Sequence, residues 1–164
     1  MVIHADDFDC SILKNYGILE KTRKRNSVRY LNVICAFDIE ASRLKDIEQS
    51  FMYIWQFQIG DDYTIIGRYW SEFYDLILRM KPYLEDMFMV VYVHNLSYEF
   101  AFLKGIYSFS EDEVFCTDNR KVLKCLMHGC MEFRCSYQLT NMSLDRFLKK
   151  IGRASCRERV CLSV

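Results

Sequence analysis

The chain has 164 residues, enough for one domain, and it is 51% hydrophobic and 15% aromatic with a single proline; that composition supplies a packed core and excludes a disordered chain. Its 22 basic and 22 acidic residues cancel, so bulk charge does not announce a nucleic-acid binder, and no stretch approaches the ~20 apolar residues of a membrane span. Residues 1–9 carry acids and lack a basic start followed by an apolar run, so a secretory leader is not expected.

Residues 1–26 are polar and weakly patterned, with a helix expected around 10–24, and they read as an N-terminal extension of undefined role. They contain a basic run, Lys21, Arg23, Lys24 and Arg25 with Arg29 close by, which can meet phosphates or simply be solvated. From 27 the character changes. Residues 30–37 are almost continuously apolar and predict a strand buried on both faces, leading into Asp38, Ile39 and Glu40 at its end. A polar segment over 42–50 is expected as helix or loop. Strands over 51–59 and 63–69 flank Gly60, Asp61 and Asp62 and predict a hairpin. Ser71 reads as a helix cap with Glu72 in the first turn, Phe73, Leu76, Ile77 and Met80 on one face, and Pro82 as the stop. Residues 87–93 predict a second buried strand, and its exit carries His94, Asn95, Leu96, Ser97, Tyr98 and Glu99. Ser97 is placed to cap a helix through Phe100, Leu103 and Ile106. Short strands are expected over 113–117, 121–127 and 131–136, then a helix capped by Ser143. This order fits one α/β domain, a mixed sheet flanked by helices, over residues 27–150.

Eight cysteines show no short metal-type spacing, and His128 near Cys125 and Cys130 is a poor substitute. Those at 35, 116, 125 and 135 lie in apolar runs and read as free thiols in a reducing, cytosolic compartment. Residues 151–160 match the in-frame translation of a widely used sequencing adapter, so 151–164 is taken as a non-native tail and left out of the fold reasoning. Without it 19 basic and 21 acidic residues remain.

Side chains two apart on a strand share a face, about 6–7 Å apart, so Asp38 and Glu40 point into one site. Two such carboxylates repel, and Mg²⁺ or Mn²⁺ resolves the conflict with hard oxygen ligands. Two ions about 3.5–4 Å apart can activate water and stabilise a leaving oxygen in phosphodiester cleavage. In the second cluster Glu99 offers another carboxylate, Asn95 a donor, and His94 and Tyr98 flat faces for a nucleotide. Each also has a plain structural role: Asn95 and Ser97 in a turn and cap, Tyr98 in the core, Glu99 as a solvated first-turn acid. Ser143 and Leu144 open a helix whose hydroxyl end suits a phosphate.

Taken together and in this order, Phe37-Asp38-Ile39-Glu40, then His94-Asn95-Leu96-Ser97-Tyr98-Glu99, then Ser143-Leu144 with Phe147 resemble the 3′–5′ exonuclease domain of family B DNA polymerases, above all the protein-primed phage type. The resemblance spans residues 33–150. It implies a ribonuclease-H-like fold and a two-metal site held by Asp38, Glu40 and Glu99, with Mg²⁺ or Mn²⁺ as cofactor. It implies single-stranded DNA ends gripped by His94, Asn95, Tyr98, Ser143 and Leu144, primer-template DNA and a terminal protein primer as partners, and a cytoplasmic setting in a phage host. Three features depart from the family pattern. Glu99 stands where an aspartate is usual, and Ala41 where a threonine contacts DNA. A third motif, a tyrosine followed four residues later by the last metal-binding aspartate, has no counterpart within 1–164. The expectation is therefore a fragment of a DNA polymerase carrying most of its proofreading nuclease, without the polymerase palm and nearly inactive as it stands. Two alternatives stay open: a stand-alone ribonuclease-H-like nuclease or resolvase drawing on Asp112, Glu113 or Asp118, and a non-catalytic DNA-binding module using the basic run.

Overall fold

Alternation of bulky apolar and polar residues in β5 (Gln49–Ile59) buries Met52, Trp55, Phe57 and Ile59, and Gly60 at φ 56° turns the chain into β6 (Tyr63–Gly67), antiparallel to β5 as expected. This hairpin belongs to a computed structural model that describes residues 1–23, 26–44, 49–119 and 121–150. Lys24, Arg25, residues 45–48 of the expected polar segment and the 151–164 tail lie outside the described residues. The flanks of 45–48 are strand on both sides: β4 (Cys35–Leu44) runs antiparallel to β5 from Cys35↔Ile59 to Leu44↔Gln49.

β7 (Met87–Val93) lies beside β4, and β10 (Met131–Cys135) is parallel to β7 on the other side. β9 (Val122–Met127) and the edge strand β8 (Val114–Cys116) follow antiparallel, close to where the sequence predicts them. With β1 (Val2–His4) at the far edge, the order along the main path of the sheet is β1-β6-β5-β4-β7-β10-β9-β8, so the expected α/β architecture, a ribonuclease-H-like mixed sheet flanked by helices, is the one that forms.

Several local expectations are corrected. The run 30–37 is two strands, β3 (Asn26–Leu31) and β4, both parallel to β7 but interrupted at 32–34. Tyr30 pairs with Phe88 and Cys35 with Val91, five residues against three, so two extra residues must loop out. Nor is β4 buried on both faces: Cys35, Phe37 and Ile39 are in the core while Ala36 and Asp38 are open. The helix α1 (Trp70–Leu84) starts before Ser71 and passes Pro82. Its start is fixed by the Glu72 carboxylate, which accepts from the Arg68 and Tyr69 N–H groups at 2.7 and 3.0 Å. Pro82 falls in the last turn on the exposed side, and burial of Leu84 carries the helix past it.

α1 covers one sheet face. Phe73 stacks on Phe37 at 4.6 Å between ring centroids and meets Trp55 at 5.1 Å. The expected helix over 10–24 is a 3₁₀ turn at Cys10–Asn15 followed by β2 (Ile18–Arg23), which pairs with β3. β1 (Val2–His4) adds a parallel edge to β6, and Ala5, Phe8, Cys10 and Leu13 join the core beside α1. The six described cysteines are free thiols; Cys35 and Cys125 are buried, and Cys116 is exposed on β8. No helix among the described residues is long and apolar enough to cross a membrane.

Candidate active site

Asp38 and Glu40 lie in the middle of β4, which continues to Leu44, but they begin where β4 parts from β7: that pairing stops at Ala36↔Tyr92. They are therefore level with the end of the central strand, where ligands gather in α/β sheets. Their side chains share the face opposite Phe37 and Ile39. A register shift between Glu40 and Ala41 bends the strand just after the pair. Asp38 keeps an open surface, yet its carboxyl is held above the usual range, first by the neighbouring walls that exclude water and then by the Glu40 charge.

β7 delivers the second cluster. Asn95 takes the left-handed conformation, φ 64° and ψ 54°, and its carbonyl accepts from the Tyr98 N–H at 2.9 Å, turning strand directly into α2 (Leu96–Leu103). Its turn role is thus the structural one. Ser97 does not cap α2; its Oγ accepts from the Val122 N–H at 2.9 Å and ties the helix to β9. Tyr98 is 46% exposed, edge-on to Phe102, and is not core. Glu99 is not solvated: it is 4% exposed, and its Oε2 has no hydrogen-bond partner. Burial, followed by the repulsion of Asp38, pushes its carboxyl up to about 7. The Asp38 charge thus acts on Glu99 although 60 residues of chain separate them.

At the ends of β7 and β10, His94 Nδ1 lies 3.3 Å from Ser136 Oγ and its ring stands edge-on to Tyr137 at 5.6 Å. Burial lowers the His94 pKa, against a smaller upward pull from the Met142 backbone, which favours the neutral ring near pH 7. α3 (Tyr137–Thr140) and α4 (Leu144–Lys150) follow. Ser143 begins α4, its carbonyl accepting from the Phe147 N–H at 2.9 Å and its Oγ loosely from Arg146 at 3.4 Å.

A cavity of about 400 Å³ brings His94, Asn95, Ser143 and Leu144 together with Lys121 and Tyr137. Four of the five expected DNA-contact residues therefore share one pocket; Tyr98 lies off it, as do the three acids. Lys121, Ser136 and Tyr137 escape sequence reasoning because only the parallel β7–β10 pairing brings Ser136 and Tyr137 beside His94, and β9 next to β10 brings Lys121 to the same cavity; a lone loop lysine carries no signal. The other acids considered lie elsewhere. Glu113 accepts from Tyr107 Oη and Ser110 N–H, while Asp112 and Asp118 are exposed near β8.

Three carboxylate groups supply hard oxygen donors, and the buried, unpartnered Glu99 Oε2 is the kind of atom a cation satisfies, so the residues fit Mg²⁺ or Mn²⁺. Their oxygens are not gathered within 4.8 Å; among the described residues only His4, Asp6 and Glu72 are.

No family model matches the sequence, and no curated protein does. Solved structures do share the fold. Phi29 DNA polymerase complexed with single-stranded DNA superposes with a TM-score of 0.56 at 12% identity, over 71% of this chain and 23% of the polymerase. The same polymerase in a ternary complex with primer-template DNA and incoming nucleotides gives 0.58 at 11% identity, over 74% and 23%. Its orthorhombic crystal form gives 0.57 at 13% identity, over 74% and 24%. The chain spans about a quarter of the polymerase's length.

Proposed function

We propose that this chain carries part of a 3′–5′ proofreading exonuclease site of a family B, protein-primed type of DNA polymerase, with single-stranded DNA ends as substrate. The observation that carries the reading is Glu99: a buried carboxylate with an unsatisfied oxygen, electrostatically coupled to Asp38. The fold shared with Phi29 DNA polymerase, whose structures include complexes with single-stranded and primer-template DNA, supports it.

In this reading Asp38, Glu40 and Glu99 hold two divalent ions. The ions, when bound, supply an activated water and a counter-charge for the leaving oxygen. The chain's own residues do the rest. Asn95 and Ser143, in one cavity with neutral His94, bind and orient the terminal nucleotide. Exposed Tyr98 offers a face for stacking a base. Ser97, tied to β9, keeps α2 and thus Glu99 in place.

The test is Mn²⁺ binding measured by paramagnetic resonance. Asp38→Ala should weaken it at least tenfold, about 1.4 kcal/mol; Asp118→Ala should leave it unchanged. Equal loss in both variants, or binding indifferent to Asp38, overturns the reading. Residues 1–164 contain no tyrosine followed four residues later by an aspartate. The chain is therefore expected to bind Mn²⁺ but to degrade single-stranded DNA far more slowly than an intact exonuclease does.

A further inference from the structure

On the sheet face that α1 leaves open, a groove of about 390 Å³ is lined by β2, β3, the 32–34 link, β7 and β10. Its centre is Tyr30. Lys21 Nζ and Arg134 Cζ each lie 5.5 Å from the Tyr30 ring centroid, so one aromatic ring holds two cations close together. Arg134 is anchored by Glu132, its Nε donating to Oε1 at 2.5 Å, and Lys124 reaches the other oxygen of that carboxylate at 3.5 Å. One carboxylate, 5% exposed, thus serves two cations, and Lys21 has no carboxylate partner among the described residues. The patch carries three positive charges against one negative, in a chain whose formal charges cancel.

We propose that this groove binds the phosphodiester backbone of a single-stranded nucleic acid, with a phosphate between Lys21 and Arg134. The inference rests on the nuclease reading above and extends it to the strand beyond the reacting end. Two placements favour a nucleic acid over a small anion. Ile34, 74% exposed, gives the groove an apolar rim suited to bases. Tyr92, in the groove, lies beside Ala36, and Asp38 is the next residue on the face of Ala36, about 6–7 Å further along β4. A strand whose end lies at the acids has only a short way to reach the cations.

Lys21 is exposed and bears no carboxylate partner among the described residues, whereas truncating Arg134 would remove the closer of the two cations that hold the buried Glu132 carboxylate. The full chain is titrated with a short fluorescent oligothymidylate in EDTA, which removes metal from the acid site. Lys21→Glu should weaken binding about threefold to tenfold and make the salt dependence shallower by about 0.7 in log–log slope; Lys21→Arg should keep both. Unchanged affinity and slope in Lys21→Glu overturn the proposal, and so does binding no tighter than to a duplex or to inorganic polyphosphate. The Asp38-dependent Mn²⁺ measurement is separate. If it fails while Lys21→Glu still weakens oligonucleotide binding, the nuclease reading falls and the groove stands; the reverse pattern removes the groove alone.

Discussion

At the scale of single residues, Glu99 shows what a sequence can and cannot display. Its chemistry is legible as an acid two residues beyond Ser97 at the exit of an apolar strand. Its burial is not, because a first-turn acid on a short helix ordinarily faces water; contacts of α2 with β9 and β10 enclose it. The cost follows from the direction of its shift. Folding raises the carboxyl from 4.5 to about 7, so between those values the folded state keeps a proton that the unfolded state has released. Stability without metal therefore falls as pH rises through that window, and Asp38, shifted the same way, adds to the loss. Glu99→Gln should abolish much of it. In EDTA at pH 8 the variant should melt several degrees higher, reflecting up to about 3 kcal/mol. The same change should weaken Mn²⁺ binding. A melting temperature at pH 8 that drops in Glu99→Gln would show that the carboxylate serves packing instead of a cation.

At the scale of elements, period and turn chemistry made most strands readable. β5 and β6 follow from alternation around Gly60, and β7 to β10 from short apolar runs bounded by turns. What stayed hidden depends on partners. The interruption at 32–34 arises from counting residues against β7, which no local pattern encodes. The start of α1 depends on where the Glu72 carboxylate can reach back to strand-end N–H groups. Gly67 is the pivot of that junction. A Cβ there would lie 2.3 Å from Trp55 Cζ2 and 2.6 Å from Glu72 Oε2, too close for either to remain in place. Gly67→Ala should therefore displace both the indole and the helix cap and cost about 1–3 kcal/mol. Urea denaturation monitored by tryptophan fluorescence measures it; a midpoint equal to the parent's would mean that the junction yields freely.

At the scale of the whole molecule, the central sheet and its candidate site were visible in the sequence, but the contribution of the first residues was not. Their segments are short 3₁₀ turns and an edge strand, too brief for any hydrophobic period to emerge. Their role is tertiary. Phe8 meets Tyr63 edge-on at 5.8 Å, and Arg79 of α1 donates to the Phe8 carbonyl at 3.2 Å and to the Ala5 carbonyl. Leu13 is fully buried among core residues. α1 is thus enclosed by the sheet and by the N-terminal turns, and the aromatic stack it makes on Phe37 adjoins Asp38 in the chain. The site depends on packing that begins with these first residues. Leu13→Ala should cost about 2–5 kcal/mol through the cavity it leaves, lowering the melting temperature by roughly 2–4 °C for each of them. Because the turns share one core with the sheet, far-ultraviolet circular dichroism and tryptophan fluorescence should report one coincident transition. An unchanged melting temperature, or an early transition confined to the N-terminal segment, would mean that α1 and the acids on β4 are held by the sheet alone.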